Sequence, residues 1–109
     1  MAIDHTARAR KAWPILVKVA RTGSKRITYA ELCKPLGLHH RAAGWFLGVI
    51  QTHCKKHGLP PLQALAVNKR TRVPGGGYIA TPRGGAKYKA ALAKVYKKKW
   101  QTHAPKFDN

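Results

Sequence analysis

The sequence predicts a mainly α-helical single domain with a small β wing, a winged helix-turn-helix. Two helical patterns lie between Ile27 and Gly58 and are separated by a short glycine turn. A buried-strand pattern and a glycine-rich turn follow directly, as a wing follows its second helix. The 22 Lys and Arg residues against 3 acidic ones give a formal net charge of +19, which is typical of a nucleic-acid-binding surface. The 109 residues suffice for one domain.

We expect the core of this domain at residues 12–100, with a basic N-terminal turn over 1–11 and a frayed tail over 101–109. Residues 4–21 carry a helical pattern that Asp4 or Thr6 caps. Its core-facing positions are Trp13, Leu16, Val17 and Ala20. Because Pro14 lacks an N–H and clashes with the preceding turn, we expect the helix to start near Trp13.

The first helix of the pair begins with a capping box, in which Thr28 and Glu31 each bond a free backbone N–H. Pro35 ends this helix because the residue before a proline is forced out of the α region. Gly37 then permits a left-handed turn. The second helix, residues 39–57, has one apolar stripe at Ala43, Leu47, Ile50 and Cys54, and Gly58 ends it.

A wing is predicted after Gly58. Leu62, Leu65 and Val67 indicate a buried strand, residues 68–72 a basic loop, 74–77 a turn and 78–80 a short returning strand. A last helix spans 86–100, with Tyr88, Leu92, Val95 and Tyr96 at helical spacing. Its lysines form either a solvated face or phosphate contacts.

Several classes of site are excluded by composition. The acidic residues, Asp4, Glu31 and Asp108, offer no pair of carboxylates for a metal-dependent nuclease or a glycosidase. His53 and His57 are spaced to bind a metal, but a structural zinc site needs four ligands, so we expect no metal and no cofactor.

The cysteines and the N-terminus indicate a cytoplasmic protein. Cys33 and Cys54 are too few for a disulfide framework and lie among apolar neighbours, as core residues do. The N-terminus lacks the apolar region of a signal peptide, and no stretch reaches the ~20 apolar residues of a membrane span.

The order of motifs resembles the DNA-binding domain of O6-alkylguanine-DNA alkyltransferases and alkyltransferase-like proteins. The resemblance covers roughly residues 27–93. It lies in Ile27-Thr28-Tyr29-Ala30-Glu31-Leu32, Leu36-Gly37, Arg41-Ala42-Ala43-Gly44, the strand Leu62 to Val67, Gly75-Gly76-Gly77-Tyr78, and Gly84-Gly85 with Lys87 and Leu92. It implies that Tyr29 lies against the DNA backbone where a nucleotide rotates out, and that Arg41 fills the vacated space.

The same resemblance implies that the small residues 42–44 let the second helix enter the minor groove, which suits close backbone approach. From the residues alone, Arg41 serves equally as a phosphate contact or a surface charge, and Tyr29 as a packing residue. The sequence departs from the family at Leu62-Gln63-Ala64-Leu65, which replaces the acceptor motif Pro-Cys-His-Arg. Without that thiolate, alkyl transfer is not expected.

The sequence therefore predicts a non-catalytic protein that binds double-stranded DNA mainly through the phosphate backbone. We expect DNA contacts from twelve residues: Tyr29, His39, His40, Arg41, Gly44, Trp45, Lys69, Arg70, Arg72, Lys87, Lys94 and Lys98. The alternatives are an RNA-binding or ribosome-associated protein, a diverged alkyltransferase-like lesion binder, and a Cys54-dependent enzyme. A fourth alternative is a phage or mobile-element factor that acts on a host DNA-processing complex.

Overall fold

The computed structural model describes residues 5–75, 78, 80–82 and 84–107. In this part the chain forms four α-helices: α1 (His5–Arg21), α2 (Tyr29–Cys33), α3 (Ala43–Lys56) and α4 (Gly85–Lys97). Two short strands, β1 (Ile27–Thr28) and β2 (Ala66–Val67), pair in parallel. The prediction of a mainly helical domain is confirmed. No helix among these residues is long and apolar enough to cross a membrane.

Helix α1 packs along α3 and forms much of the core. Its buried side chains are Ala9, Ala12, Trp13, Leu16, Val17 and Ala20, which include the predicted face. The expected start near Trp13 is wrong, because the helix begins at His5 and runs through Pro14. A proline inside a helix costs about 3 kcal/mol. Burial of the whole apolar face opposes that cost, since tertiary packing supplies most helical stability.

The turn between α2 and α3 forms as its residues dictate. Thr28 Oγ1 accepts a hydrogen bond from the Glu31 N–H at 3.2 Å, and Glu31 Oε1 accepts one from the Thr28 N–H at 3.1 Å. Helix α2 ends at Cys33, and a 3₁₀ turn over Lys34–Leu36 contains the proline. Gly37 follows with φ of +69°, the left-handed conformation that glycine adopts freely. The capping box and the turn are confirmed.

Helix α3 is preceded by a 3₁₀ turn at His40–Ala42, so the predicted second helix begins less regularly than expected. Its apolar stripe is buried as predicted, together with one further residue: Ala43, Phe46, Leu47, Ile50 and Cys54. After the last helical turn, the Leu59 N–H donates to the Cys54 carbonyl at 2.8 Å, and Gly58 has φ of +65°. The predicted glycine stop is confirmed.

The segment predicted as a strand from Leu62 to Val67 is mostly a 3₁₀ turn, Leu62–Leu65, and only Ala66–Val67 is extended. The turn packs against α1, α3 and α4. All four of its side chains are buried. Because burial does not alternate from one residue to the next, it does not favour the alternating geometry of a strand. The Tyr88 hydroxyl donates to the Ala64 carbonyl at 2.8 Å, which satisfies a backbone acceptor that a sheet would otherwise bond.

The expected return strand of the wing does not form at Tyr78 and Ala80, and Ile79 lies outside the described residues. The Tyr78 N–H donates to the Gly75 carbonyl at 3.1 Å, which makes a tight turn. The Tyr78 ring is buried edge-on against Tyr88, with ring centroids 6.2 Å apart. The strand pair in the described part of the chain is thus the parallel one between β1 and β2.

The C-terminal segment packs onto α1, so the predicted frayed tail is wrong for residues 101–107. Helix α4 ends at Lys97, before the predicted end at Trp100, whose indole N–H donates to the Val95 carbonyl at 2.7 Å. The Trp13 indole N–H donates to the Gln101 carbonyl at 2.9 Å. Phe107 is buried with its ring 5.8 Å from that of Trp13. Burial of aromatic side chains thus holds in place a segment that the sequence predicts to be frayed. Residues 108 and 109 are outside the described range.

Candidate nucleic-acid interface

Three neighbouring concavities lie beside the turn and α3, and they share lining residues. The loop concavity lies between Tyr29, His40 and the loop 68–71. The central pocket, about 260 Å³, shares Tyr29 and His40 with it. The lysine concavity, about 770 Å³, shares Gln51 and Gln63 with the central pocket. The three concavities therefore adjoin one another, and we call them together the basic track.

The lining of the basic track carries one sign of charge. Among its described residues none is Asp or Glu, and six are Lys or Arg: Arg41, Lys55, Lys69, Arg70, Lys87 and Lys94. A depression lined by one sign of charge concentrates the field and attracts an opposite charge. The arrangement therefore suits a linear polyanion that passes from the loop concavity to the lysine concavity.

The loop that carries Lys69 and Arg70 is shaped by Asn68. The Asn68 side-chain oxygen accepts hydrogen bonds from the backbone N–H of Arg70 at 2.8 Å and of Thr71 at 3.4 Å. Its backbone closes the loop, since the Asn68 N–H donates to the Val73 carbonyl at 2.9 Å. Such Asx turns fix short polar loops locally. The two cations are therefore presented on a preformed loop.

Arg72 shapes the same loop and does not line the track. It has φ of +60°, a left-handed conformation that is uncommon for a residue with a side chain. Its N–H donates to the Asn68 carbonyl at 2.8 Å, and its own carbonyl accepts from Arg26 Nη1 at 2.6 Å. Its backbone bonds thus anchor the loop to the chain that leads into β1.

Tyr29 stands between the loop concavity and the central pocket and lines both. Its hydroxyl oxygen accepts a hydrogen bond from the Gly75 N–H at 2.6 Å. A Cβ at Gly75 would lie 3.3 Å from that oxygen, a tight approach that glycine avoids. The ring is half-buried and fixed, so Tyr29 is a packing residue and a wall of the track at once.

The central pocket has a polar floor that the sequence did not reveal. Gln63 is 4% exposed, and its Nε2 donates weakly to Gln51 Oε1 at 3.5 Å. Gln63 Oε1 is buried without a hydrogen-bond partner among the described residues. An unsatisfied buried acceptor costs about 1–3 kcal/mol. Gln63 is the residue that replaces cysteine in the Pro-Cys-His-Arg comparison.

The start of α3 gives the pocket a low rim. Arg41, Gly44 and Gly48 line the pocket, and Arg41 is exposed. A Cβ at Gly44 or Gly48 would meet nothing within 4 Å, so both glycines face open space. A surface without side chains lets the backbone of a partner approach closely. Of the predicted small residues 42–44, Gly44 is exposed at this rim, whereas Ala43 is buried in the core.

The remaining predicted residues divide between the track and other surfaces. Lys87 and Lys94 line the lysine concavity, whereas Lys98 lies with its Nζ 5.4 Å from the centre of the Trp100 ring. His39 accepts the Arg41 N–H on Nδ1 at 3.3 Å and serves as a cap. Trp45 is exposed on α3 and stacks on His5.

Lys55, Gln51 and Gln63 are track residues that were not predicted. Gln51 and Lys55 lie on α3, whereas Gln63 is buried in the 3₁₀ turn Leu62–Leu65, and folding brings the three together.

Glu31 lies beside the basic loop but is held by its cap. The pKa of its carboxyl is lowered, first by the hydrogen bond from the Thr28 N–H and next by that from the Thr28 hydroxyl, with a further contribution from Arg72 and Lys69. The carboxylate is therefore ionised at neutral pH and occupied by backbone. It is not a free general base.

The cysteines and histidines are placed for packing. Burial raises the pKa of both the Cys33 and the Cys54 thiol, which disfavours the nucleophilic thiolate. Within the described ranges no group of three His, Cys, Asp or Glu side chains is arranged to hold a metal ion. The rings of His53 and His57 are 4.4 Å apart, and the His53 ring also packs edge-on against Phe107.

The alkyltransferase resemblance rests on the order of motifs in the sequence. The residues that it assigns to DNA contact, Tyr29 and Arg41, do lie together at the central pocket. Searches of family models, of curated proteins and of solved structures found no match for this chain.

Proposed function

We propose that this protein is a non-catalytic, winged-helix-like DNA-binding protein that holds double-stranded DNA along the basic track. The 3₁₀ turn at His40–Ala42 and the beginning of α3, as far as Gly48, face a groove of the duplex. The cations at the two ends of the track neutralise phosphates on either side of that groove. Affinity comes mainly from these phosphate contacts, as in most non-specific DNA binding.

One observation carries this proposal: three concavities adjoin one another, and their described lining includes six Lys or Arg side chains and no carboxylate. A +19 chain has many cations on its surface, and charge alone does not favour one path over another. A row of adjoining concavities does favour one path, because phosphates that follow it meet cations at successive positions. The glycine rim at Gly44 and Gly48 adds the close approach that a helix in a narrow groove requires.

We expect weak base specificity. Arg41 is the cation at the central pocket, and Arg in a narrow groove responds to negative potential more than to base identity. Phosphate contacts orient the protein on the duplex without reading its sequence. The amide side chains in the track are Gln51 and Gln63, which are at least partly buried, and Asn68, whose side-chain oxygen accepts hydrogen bonds from its own loop.

A competition titration tests the proposal against its RNA-binding alternative. A labelled short duplex DNA is bound at low salt and displaced by unlabelled duplex DNA or by an RNA hairpin of equal phosphate number. The proposal predicts that DNA competes better, because the minor groove of A-form RNA is wide and shallow and its major groove is too deep and narrow for α3 to read. An RNA hairpin that competes several-fold better than DNA assigns the track to RNA.

A second candidate function, an alkyltransferase-like binder of damaged bases, is favoured by one specific observation. The central pocket of about 260 Å³ lies just below the ~300–1,000 Å³ of drug-sized ligand sites and has the side chain of Gln63 in its lining. A base rotated out of the stack is small, planar and carries N–H donors. In this candidate role the protein binds the lesion and shields it without transferring the alkyl group.

The test of this second role compares two duplexes that differ by one O6-methylguanine. Preferential binding of the modified duplex, lost in Gln63→Leu, supports it, because leucine keeps the volume and removes the acceptor. Equal affinity of both duplexes in the wild-type protein excludes lesion recognition. That outcome leaves DNA binding along the track unaffected.

A further inference from the structure

Trp45 is a large apolar side chain that the fold leaves in solvent. It is 68% exposed at the third position of α3, whereas Trp13 and Trp100 are 4% and 5% exposed. Exposing an indole is unfavourable in water. The core beside it already takes Phe46, the next residue along the helix. The exposure of Trp45 is therefore not explained by packing.

The indole is nevertheless held in place. The ring of His5, the first residue of α1, stacks on it with centroids 5.5 Å apart and planes 14° apart. His5 itself is half-buried, so its ring is a firm support. Stacking on one face fixes the orientation of the indole and leaves much of its remaining surface in solvent. An aromatic group that is ordered before binding loses little conformational entropy when it binds.

The surroundings of Trp45 make it a protrusion. Its neighbour Gly44 and the residue one turn later, Gly48, have open space where a Cβ would stand. Arg41, four residues earlier, is exposed and lines the central pocket. The exposed indole thus lies next to a glycine surface and beside a cation, and it is not itself part of the lining of the basic track. Proteins that bend DNA insert apolar wedges between base steps with this combination of close backbone approach and projecting side chain.

We propose that Trp45, supported by His5, is a stacking wedge that inserts against the base pairs of the bound duplex and opens one base step. The inference rests on the proposed DNA binding and adds a mechanical action to it. Phosphate contacts along the basic track bring α3 to the groove. The indole then replaces part of a base–base stack by a base–indole stack, which compensates the unstacking.

The test uses two fluorescent reporters. The first is Trp45 itself, since the other two indoles are buried: its emission is expected to be quenched when a duplex saturates the protein at low salt. The second is 2-aminopurine within the duplex, whose emission rises when its neighbours unstack. Wild type is expected to raise that signal, Trp45→Ala to abolish the rise, and Trp45→Phe to restore part of it. Trp45→Ala should also lose about tenfold in affinity.

Two further variants separate the wedge from general effects on α3. His5→Ala removes the support while keeping the indole, so the 2-aminopurine rise is expected to fall with the salt dependence of binding unchanged. Thr52→Ala, exposed on the same helix two turns after Trp45, is expected to behave as wild type. Circular dichroism verifies that each variant keeps its helices.

The outcomes are distinguishable. Salt-dependent binding with the same 2-aminopurine signal in wild type and Trp45→Ala overturns the wedge and leaves DNA binding standing. Indole emission that stays unchanged in the saturated complex also overturns it, because the indole then remains outside the base stack. No binding of the wild-type protein at low salt refutes the proposed function itself.

Discussion

The salt dependence of DNA binding gives a quantitative test of the basic track. If all six Lys and Arg side chains of its described lining neutralise phosphates, log K falls with log salt at a slope of about −5.4, because each phosphate contributes about −0.9. Doubling the salt from 100 to 200 mM then weakens binding about 40-fold. Lys69→Ala/Arg70→Ala removes two of these contacts and is expected to reduce the slope to about −3.6.

The matched control is Lys11→Ala/Lys18→Ala, which removes the same charge from exposed positions of α1 outside the track. Its slope is expected to stay at about −5.4. Fluorescence anisotropy of a labelled duplex over a salt series measures all three proteins. Equal loss of slope in the two double variants would contradict the track, because it would mean that any two surface charges contribute alike.

Three further predictions concern the elements that support this surface. Asn68→Ala removes the side-chain acceptor that orders the loop, so duplex affinity is expected to fall several-fold without a change in net charge, which anisotropy measures. Thr28→Ala removes the cap of α2 and is expected to cost about 1 kcal/mol in urea unfolding. The lowered pKa of Glu31 means that its stabilisation is complete above the ordinary value of 4.5 and lost as pH falls through the lowered folded pKa. Glu31→Gln should therefore show a flatter decline of thermal stability below pH 4.5 than wild type, and an equally steep decline would refute that reasoning.

The features that were predictable from sequence are those fixed by a few neighbouring residues. The capping box needs only Thr28 and Glu31, and the turn needs only Pro35 and Gly37. The apolar stripe of α3 follows from helical spacing alone. In each case local sterics and hydrogen bonding decide the geometry, and distant residues only complete the burial.

The features that were mispredicted are decided by distant contacts. Pro14 indicates a helix start, yet burial along α1 carries the helix through it. Residues 62–65 look like a strand, but contacts on every side and the Tyr88 hydroxyl favour a 3₁₀ turn. The C-terminal segment looks frayed until Trp13 and Phe107 are seen to pack together. None of these contacts has a signal in the adjacent sequence.

The candidate site was predictable in its cations and not in its shape. Arg41 and the loop Lys69-Arg70 attract attention by charge, and Tyr29 by its motif. That they border one depression depends on the parallel pairing of β1 with β2 and on the packing of residues 62–65 against α3. The Gln51–Gln63 contact, which joins two of the concavities, spans 12 positions in sequence. The sequence around Gln63 does not indicate that this residue is buried beside a pocket.

The central claim, that duplex DNA lies along the basic track, is tested most directly by mapping backbone amide chemical shifts during a duplex titration. If duplex DNA lies along the basic track, the largest chemical-shift changes are expected at Tyr29, Gly44, Gly48, Arg70 and Lys87. Small changes are expected at Lys11 and Lys18 on the outer surface of α1. Changes that are largest along α1, or spread evenly over all exposed lysines, would contradict it.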